Sequence, residues 1–185
     1  MDGMSPSRRR MLQGLLVLPL AALLPGGARL LASDNVMSGS VANDSGISRA
    51  TLTLHGRQGP QRLNAELAIS DEQRRQGLMD RESLAADAGM LFLYPRLSNG
   101  SFWMYRTRIP LDIAFIDDEG RISEIHHMQP CTSDSPEACP QTRPGVTYRA
   151  ALEVNAGYFA ARGIAVGDCV SWPGDGGQCL GEKES

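Results

Sequence analysis

The strongest fold signal in the chain is the segment Leu111-Asp112-Ile113-Ala114-Phe115-Ile116-Asp117-Asp118-Glu119-Gly120-Arg121-Ile122-Ser123-Glu124-Ile125-His126-His127. An apolar run of strand length, 111–116, is followed by the acidic stretch 117–120 and a second run, 121–127. Two such runs joined by a short polar segment that ends in glycine are typical of an antiparallel β-hairpin. The segment therefore predicts a fold built mainly from strands.

Further short strands are predicted on both sides of this hairpin, because apolar residues alternate with polar ones or form short runs. These strands cover 52–54, 63–69, 89–94, 101–105, 150–154 and 169–172. A capping-box pattern from Ser70 to Gln73 predicts a helix to about Leu78. Asn155 is expected to cap a second helix across 158–162, which ends at Gly163. The pattern predicts one compact, mainly β (α+β) domain, a sandwich or barrel with two or three short helices.

The first 32 residues have the features of an export signal. The basic segment Ser7-Arg8-Arg9-Arg10-Met11-Leu12 precedes an apolar run, 14–24, that is shorter than the roughly 20 apolar residues of a membrane-spanning helix. The pattern resembles a bacterial twin-arginine signal, and small residues place the cleavage between Ala28 and Ala32. A buried N-terminal helix is the alternative interpretation. We expect a periplasmic or secreted protein with no stable membrane span after the signal is removed.

The rest of the chain divides into a polar linker at 33–48, a globular domain at 49–172 and a polar C-terminal tail at 173–185. The full chain carries a formal charge of −3, and removal of 1–32 takes four arginines and one aspartate with it. A more acidic mature chain disfavours a nucleic-acid partner.

All four cysteines lie in the mature part of the chain, and an even number in an exported protein indicates disulfides. Three pairings are possible; we favour Cys131–Cys139 and Cys169–Cys179, because each pair brackets a short loop rich in turn residues. The spacings of seven and nine intervening residues do not suit a zinc site. No cofactor or metal is expected.

Several motifs occur in order along the domain: Gly77-Leu78-Met79-Asp80-Arg81, Gly89-Met90-Leu91-Phe92, Ser101-Phe102-Trp103-Met104 and Thr107-Arg108-Ile109-Pro110-Leu111-Asp112. Together they resemble the bacterial and archaeal family called domain of unknown function 192. The resemblance covers about Leu52 to Trp172 and implies a compact, mainly β domain with a few short helices. It implies no activity. The chain departs from the family at Tyr105-Arg106, where the family commonly has Lys-Asn.

The candidate ligand-binding residues are Met79, Arg81, Trp103, Met104, Arg108 and Asp112. Arginine side chains beside a tryptophan could form a cleft for a carboxylate or a sugar, since guanidinium groups make planar, paired hydrogen bonds. Asp112 is either a general base or, more simply, the partner of an arginine or of backbone amides. Met79, Met90 and Met104, with His126, His127 or Met128 nearby, are either soft ligands for Cu(I) or core residues that pack on aromatic rings.

No nucleophile motif, metalloprotease motif or phosphate-binding glycine loop occurs in the sequence. We therefore expect a small, non-catalytic binding or accessory module of the bacterial envelope that recognises a small anionic or saccharide ligand. The first alternative is a carboxylate-dependent hydrolase or lyase of envelope saccharides, in which Asp112 acts with Glu124 or Asp117. The second alternative is periplasmic copper binding through methionines.

Overall fold

The structure, a computed structural model, describes residues 46–174 and Cys179. The expected signal at 1–32, most of the linker at 33–48 and most of the tail at 173–185 lie outside the described residues. Among the described residues, no helix is both long and apolar enough to cross a bilayer.

Nine strands and two α-helices form the described part of the chain. The strands are β1 (Ser48–Gly56), β2 (Gly59–Ala68), β3 (Ala88–Ser98), β4 (Phe102–Trp103), β5 (Leu111–Ile116), β6 (Ile122–Met128), β7 (Gln141–Thr142), β8 (Tyr148–Asn155) and β9 (Cys169–Ser171). The helices are α1 (Asp71–Gln76) and α2 (Tyr158–Ala161), and one 3-10 turn covers Pro136–Ala138. The predicted fold class, a compact and mainly β domain with short helices, is confirmed.

Seven strands form one curled sheet in the order β6-β5-β8-β3-β2-β1-β9, and β4 pairs with β7 separately. Every neighbouring pair in the large sheet is antiparallel except β2 and β3. These two run parallel, which requires the chain to cross from the end of β2 to the start of β3. Helix α1 lies in that crossover.

The two edges of the sheet meet at one end, so that the sheet forms a partly closed barrel. Arg121 and Cys169 form an antiparallel bridge. Three backbone hydrogen bonds of 2.8 Å accompany it: Ile122 N–H to the Asp168 carbonyl, Gly167 N–H to the Ile122 carbonyl, and Val170 N–H to the Gly120 carbonyl. This contact protects edge strands that would otherwise expose unpaired backbone groups.

Alternation along the strands produces two apolar clusters. The first cluster includes residues from all seven strands of the sheet and from α2, so it fills the concave side. The second cluster lies on the opposite face and takes Met90, Phe92, Ile113, Phe115 and Tyr148 from the sheet. The opposite face is therefore also buried.

Phe102 of strand β4 packs on this outer face and holds the two-stranded β4–β7 sheet against it. Its ring centroid lies 5.1 Å from that of Phe92 and 5.6 Å from that of Phe115, both with edge contacts. Because side chains alternate along a strand, the next residue, Trp103, points away from the sheet and is 41% exposed. The packing of Phe102 thus places Trp103 at the surface.

The predicted hairpin is confirmed as β5 and β6, and Asp117 Oδ1 accepts the N–H groups of Glu119 and Arg121 in its turn. The capping box is also present: the Ser70 hydroxyl accepts the Gln73 N–H and the Gln73 side chain accepts the Ser70 N–H. The predicted role of Asn155 is wrong. Helix α2 has Gly157 as its N-cap, and the Asn155 amide donates instead to the carbonyls of Leu84 and Ala85.

The cysteines pair as Cys131–Cys139 and Cys169–Cys179, with Cα–Cα distances of 5.6 and 5.7 Å. This is the pairing that the sequence analysis favours. Two disulfides are consistent with a periplasmic or extracellular location, because disulfides persist in oxidising compartments.

Candidate functional site

Two cavities open beside the segment 102–108, which covers the outer face of the sheet. The narrow pocket has a volume of about 30 Å³ and is lined by Arg74, Arg75, Gln76, Gly77, Leu78, Met79, Phe92, Phe102, Trp103, Thr107 and Glu153. The open cavity has a volume of about 550 Å³ and is lined by Asp80, Tyr105, Arg106, Arg108, Pro130, Cys131, Thr132, Ser133 and Asp134. The volume of the open cavity falls within the range of small-molecule sites.

Trp103 and Tyr105 connect the two cavities. The ring centroids lie 5.6 Å apart, with the Trp103 ring on the narrow pocket and the Tyr105 ring on the open cavity. Trp103 is exposed and Tyr105 is half-buried, so the pair offers parts of its apolar ring faces and, from the indole N–H and the phenol, polar edges. Such a pair can stack on a flat or ring-shaped ligand.

Asp80 and Arg106 form a paired contact at the rim of the open cavity. The Arg106 guanidinium donates from Nε to Asp80 Oδ1 at 3.0 Å and from a terminal nitrogen to Oδ2, and the Asp80 N–H donates to the Arg106 carbonyl at 2.8 Å. Among the described residues, only these two non-glycine residues have positive φ angles, 62° and 56°. Strained backbone of this kind concentrates at functional sites.

The positive φ at Arg106 makes the departure from the resembled family unfavourable for the backbone. Asparagine adopts the left-handed region more readily than arginine does, because its short side chain can hydrogen-bond locally. The Lys-Asn that the family commonly has therefore suits the φ of 56° at residue 106 better than the Tyr-Arg of this chain. In this chain the guanidinium–carboxylate contact with Asp80 compensates for the less favourable backbone.

Each arginine that lines the open cavity has a carboxylate partner. Arg106 pairs with Asp80, and Arg108 donates to Glu82 at 3.1 Å. Asp134 also lines the cavity, so the lining offers as much negative as positive charge. A cavity of this kind favours a polar, uncharged ligand over an anion.

Glu153 is the most unusual group of the narrow pocket. It lies on the outer face of β8, opposite Met90 of β3 and Ile113 of β5, and is only 5% exposed. Among the described residues, no hydrogen bond or ion pair to its carboxyl group is found. Burial raises the pKa of Glu153 to about 8, so that the carboxyl is largely neutral at pH 7.

The arginines of the narrow pocket do not compensate for Glu153, because they contact other groups. Arg74 pairs with Asp71, donates to the carbonyls of Ile69 and Leu93 at 2.6 Å, and stacks on the Tyr94 ring. Arg75 is exposed and pairs with Glu72. Glu153 is left without a cationic partner inside an aromatic-walled pocket.

Glu66 provides the opposite case on the same face of the sheet. It is 8% exposed and accepts hydrogen bonds from Arg81, through both carboxylate oxygens, and from Arg49 at 2.9 Å. Burial alone would raise the pKa of Glu66, but the hydrogen bonds and charges of Arg81 and Arg49 outweigh it and hold the pKa below its usual value. Arg81 therefore stabilises a buried carboxylate and lines neither cavity described above.

The structure brings three of the predicted site residues to the cavities. Met79 and Trp103 line the narrow pocket, and Arg108 lines the open cavity. Met104 is 3% exposed and packs in the apolar cluster of the outer face, where a ligand does not reach it. Of the neighbouring pair Trp103 and Met104, only Trp103 therefore lies beside a cavity.

Asp112 is buried and makes structural contacts. Its two oxygens bind the His127 ring at 2.9 Å and the Gly157 N–H at 2.8 Å, which ties β5 to β6 and to the start of α2. It lines neither the narrow pocket nor the open cavity. These contacts support the simpler of the two interpretations, a carboxylate that binds backbone and side-chain partners.

The methionines and histidines do not converge on one point. Met90, Met104 and Met128 are buried in the outer-face cluster, whereas Met79 lines the narrow pocket. The His126 ring contacts Glu124 at 2.7 Å, and the His127 ring contacts Asp112. The arrangement supports the interpretation of the methionines as core residues.

Glu153 is not among the site residues predicted from the sequence. Its signal was a single charged residue inside the apolar strand at 150–154. On strand alternation alone, Glu153 would point to solvent; it is buried because the distant segment 102–107 covers that face.

The comparisons with known proteins agree with the architecture. Residues 51–172 match the family model DUF192, described as "Uncharacterized ACR". A "putative transcription regulator" from Sinorhizobium meliloti 1021 is similar at 32% identity and a TM-score of 0.62, over 72% of this chain and 98% of that chain. A protein of unknown function from Novosphingobium aromaticivorans DSM 12444 is similar at 30% identity and a TM-score of 0.65, over 80% of this chain and 100% of that chain. No curated protein matches.

Proposed function

This chain belongs to the DUF192 family, and from that premise we propose that it is a non-catalytic binding module of the bacterial envelope whose ligand is a small saccharide. The ligand stacks on the Trp103–Tyr105 pair and occupies the open cavity. The observation that carries the proposal is an aromatic pair, an exposed Trp103 and a half-buried Tyr105, beside a cavity whose arginines are already paired with carboxylates.

The chemistry of a sugar matches this surface. A sugar ring has an apolar face, which an aromatic side chain covers, and hydroxyl groups around its edge, which bind charged and polar groups such as those of Asp80, Arg106 and Ser133. An anionic ligand would need a guanidinium without a carboxylate partner, and Arg106 and Arg108 each have one. A saccharide is therefore favoured over an anion.

The proposal includes export. Residues 1–32 act as the twin-arginine-like signal, 33–48 link it to the domain, and the two disulfides form after the chain leaves the cytoplasm. Intact-mass spectrometry of protein from the periplasm tests this part. We expect cleavage between Ala28 and Ala32 and the loss of four hydrogens; an uncleaved chain with free thiols would contradict export.

The ligand is tested by titrating the full chain with glucose, N-acetylglucosamine and cellobiose, and with phosphate and citrate as anionic probes. We expect a sugar to bind and Tyr105→Ala to weaken its affinity at least tenfold, since the variant removes a stacking face. Leu97→Ala, at an exposed apolar residue that lines neither cavity, is the matched control. Binding of citrate or phosphate without any sugar, or full sugar affinity in Tyr105→Ala, would refute the proposal.

A further inference from the structure

The narrow pocket contains a buried acid that the saccharide proposal does not use. Glu153 lies at the sheet-side wall, where it is 5% exposed and where Phe92, Phe102 and Trp103 supply aromatic surroundings. A buried carboxyl without a partner costs free energy unless a counter-charge or hydrogen-bond donor accompanies it. An unpartnered acid that lines an accessible pocket indicates that the missing partner comes from a ligand.

The size of the pocket limits what this partner is. A cavity needs roughly 10–15 Å³ to hold one water molecule. The volume of about 30 Å³ therefore holds a group of one or two heavy atoms. Gly77 lines the pocket with a positive φ of 49°, and a Cβ at this position would lie 3.4 Å from the Phe92 ring.

The cationic side chains around Glu153 all pair with other groups, so the negative charge of its ionised form is not neutralised. From α1, Arg74 and Arg75 face the pocket, but they pair with Asp71 and Glu72. From β3, the Tyr94 phenol is neutral at pH 7, and burial raises its pKa further above that pH. Across the sheet, the row of residues paired in register with Glu153 runs through Glu66, Met90, Glu153, Ile113 and His126 in that order. Of the two charged or titratable members besides Glu153, Glu66 is bound by Arg49 and Arg81, and His126 contacts Glu124. No charged residue of the segment 102–107 lines the pocket.

We propose that the narrow pocket is a subsite for a primary ammonium group, which donates hydrogen bonds to the Glu153 carboxylate between aromatic walls. Aromatic faces attract cations, and a carboxylate attracts them more strongly in a desolvated site. The ammonium subsite does not depend on the proposed function, but the identity of the complete ligand does. If a saccharide stacks on Trp103 and carries the ammonium group, the complete ligand is an amino sugar. A ligand hydroxyl in the pocket is the competing occupant.

Binding of the cation is coupled to release of one proton. In the empty pocket the Glu153 carboxyl holds its proton at neutral pH; on binding, the proton leaves to solvent and the ammonium takes its place. Affinity for an ammonium therefore increases as pH rises toward the pKa of Glu153 and levels off above it. A neutral alcohol shows no such increase.

The experiment follows the indole N–H signal of Trp103 in the ¹⁵N-labelled full chain during titration with methylammonium chloride, methanol or tetramethylammonium chloride. The signals of Trp103 and Trp172 are assigned with Trp172→Phe. We expect methylammonium to shift the Trp103 signal, with affinity increasing about tenfold between pH 6 and pH 7 and levelling off above pH 8. Tetramethylammonium is too large and should not bind.

The variant Glu153→Gln keeps the shape of the side chain and removes its charge. It should weaken methylammonium binding at least tenfold and abolish the pH dependence, whereas Glu119→Gln, in an exposed turn, leaves both unchanged. Equal effects of methanol and methylammonium, pH-independent affinity, or full affinity in Glu153→Gln would overturn the subsite. A parallel titration of the wild-type chain with N-acetylglucosamine separates the two proposals, because this neutral sugar reports on the open cavity alone.

Discussion

Glu66 and Glu153 occupy the same face of the same sheet, and only Met90 lies between them in the row of paired residues. Both are buried, with exposures of 8% and 5%. Glu66 is bound by two arginines and its pKa is lowered; Glu153 has no hydrogen-bond or ion-pair partner within the described part of the chain, and its pKa is raised. A buried carboxyl contributes to structure where the chain supplies its counter-charge, as at Glu66; at Glu153 the chain supplies none, and there we propose that a ligand does.

The largest expected effect comes from Glu153→Gln and depends on pH. Below about pH 4.5 the folded and unfolded forms of Glu153 are both protonated, so the side chain adds no pH dependence. Between that pH and about 8 only the unfolded form ionises, and the wild-type chain loses stability as pH rises. Thermal or urea unfolding at pH 9 should find Glu153→Gln more stable by up to about 4 kcal/mol, with no difference at pH 4.

A constant difference between these two proteins from pH 4 to pH 9 would contradict the raised pKa. Glu66→Gln is the matched comparison. Because the folded state favours the ionised form of Glu66, this variant should be less stable than the wild-type chain at neutral pH.

The next largest effect is expected from Arg81→Met, which makes Glu66 resemble Glu153. The substitution leaves a buried carboxylate with Arg49 as its remaining partner and should lower the free energy of unfolding by about 2–3 kcal/mol at pH 7. Urea unfolding measures the loss. Adding Glu66→Gln should recover part of it, and a double variant as unstable as Arg81→Met would argue against an uncompensated charge.

A third prediction supplies Glu153 with the partner that it lacks. Met79 is half-buried and lines the same pocket, so Met79→Lys introduces an ammonium group beside the carboxyl. The pKa of Glu153 should fall by at least one unit, which corresponds to about 1.4 kcal/mol, and methylammonium binding should be lost. Met79→Gln is the uncharged control, and methylammonium binding to Met79→Lys with wild-type affinity would contradict the prediction.

The smallest effect is expected for the exposed pair of Asp80 and Arg106. Arg106→Asn relieves the positive φ of 56° and removes the ion pair. The two changes oppose each other, and each is worth about 1 kcal/mol or less. The free energy of unfolding, measured by thermal unfolding, should differ from that of the wild type by less than about 1 kcal/mol. A loss as large as that of Arg81→Met would show that the exposed Asp80–Arg106 pair contributes as much stability as the pair of Arg81 with the buried Glu66.

Local sequence patterns predicted most of the fold. The β5–β6 hairpin, the capping box of α1 and both cysteine pairs each depend on residues close together in the chain, and all are present in the structure. The strand containing Trp103 was found in the right place, although β4 is only two residues long. The chain turns away after it, at the strained Arg106.

The candidate site was harder to predict, because it depends on contacts between distant segments. Glu153 looks like a solvent-facing strand residue until Phe102 and its neighbours cover it, and Arg81 looks like a free cation until β2 places Glu66 beside it. Asn155 has the sequence of a helix cap, but it binds carbonyls 70 and 71 residues away. Pairing partners of this kind leave no local pattern.

The most direct test of the account is the titration of the two side-chain carboxyls by ¹³C NMR in the full chain with both disulfides intact. Glu66→Gln and Glu153→Gln assign the signals. The account predicts that Glu153 titrates at about pH 8 and that Glu66 titrates below the usual range of glutamate. Titration of both carboxyls together in the usual range would contradict it, since Glu153 would then be either exposed or bound by a partner.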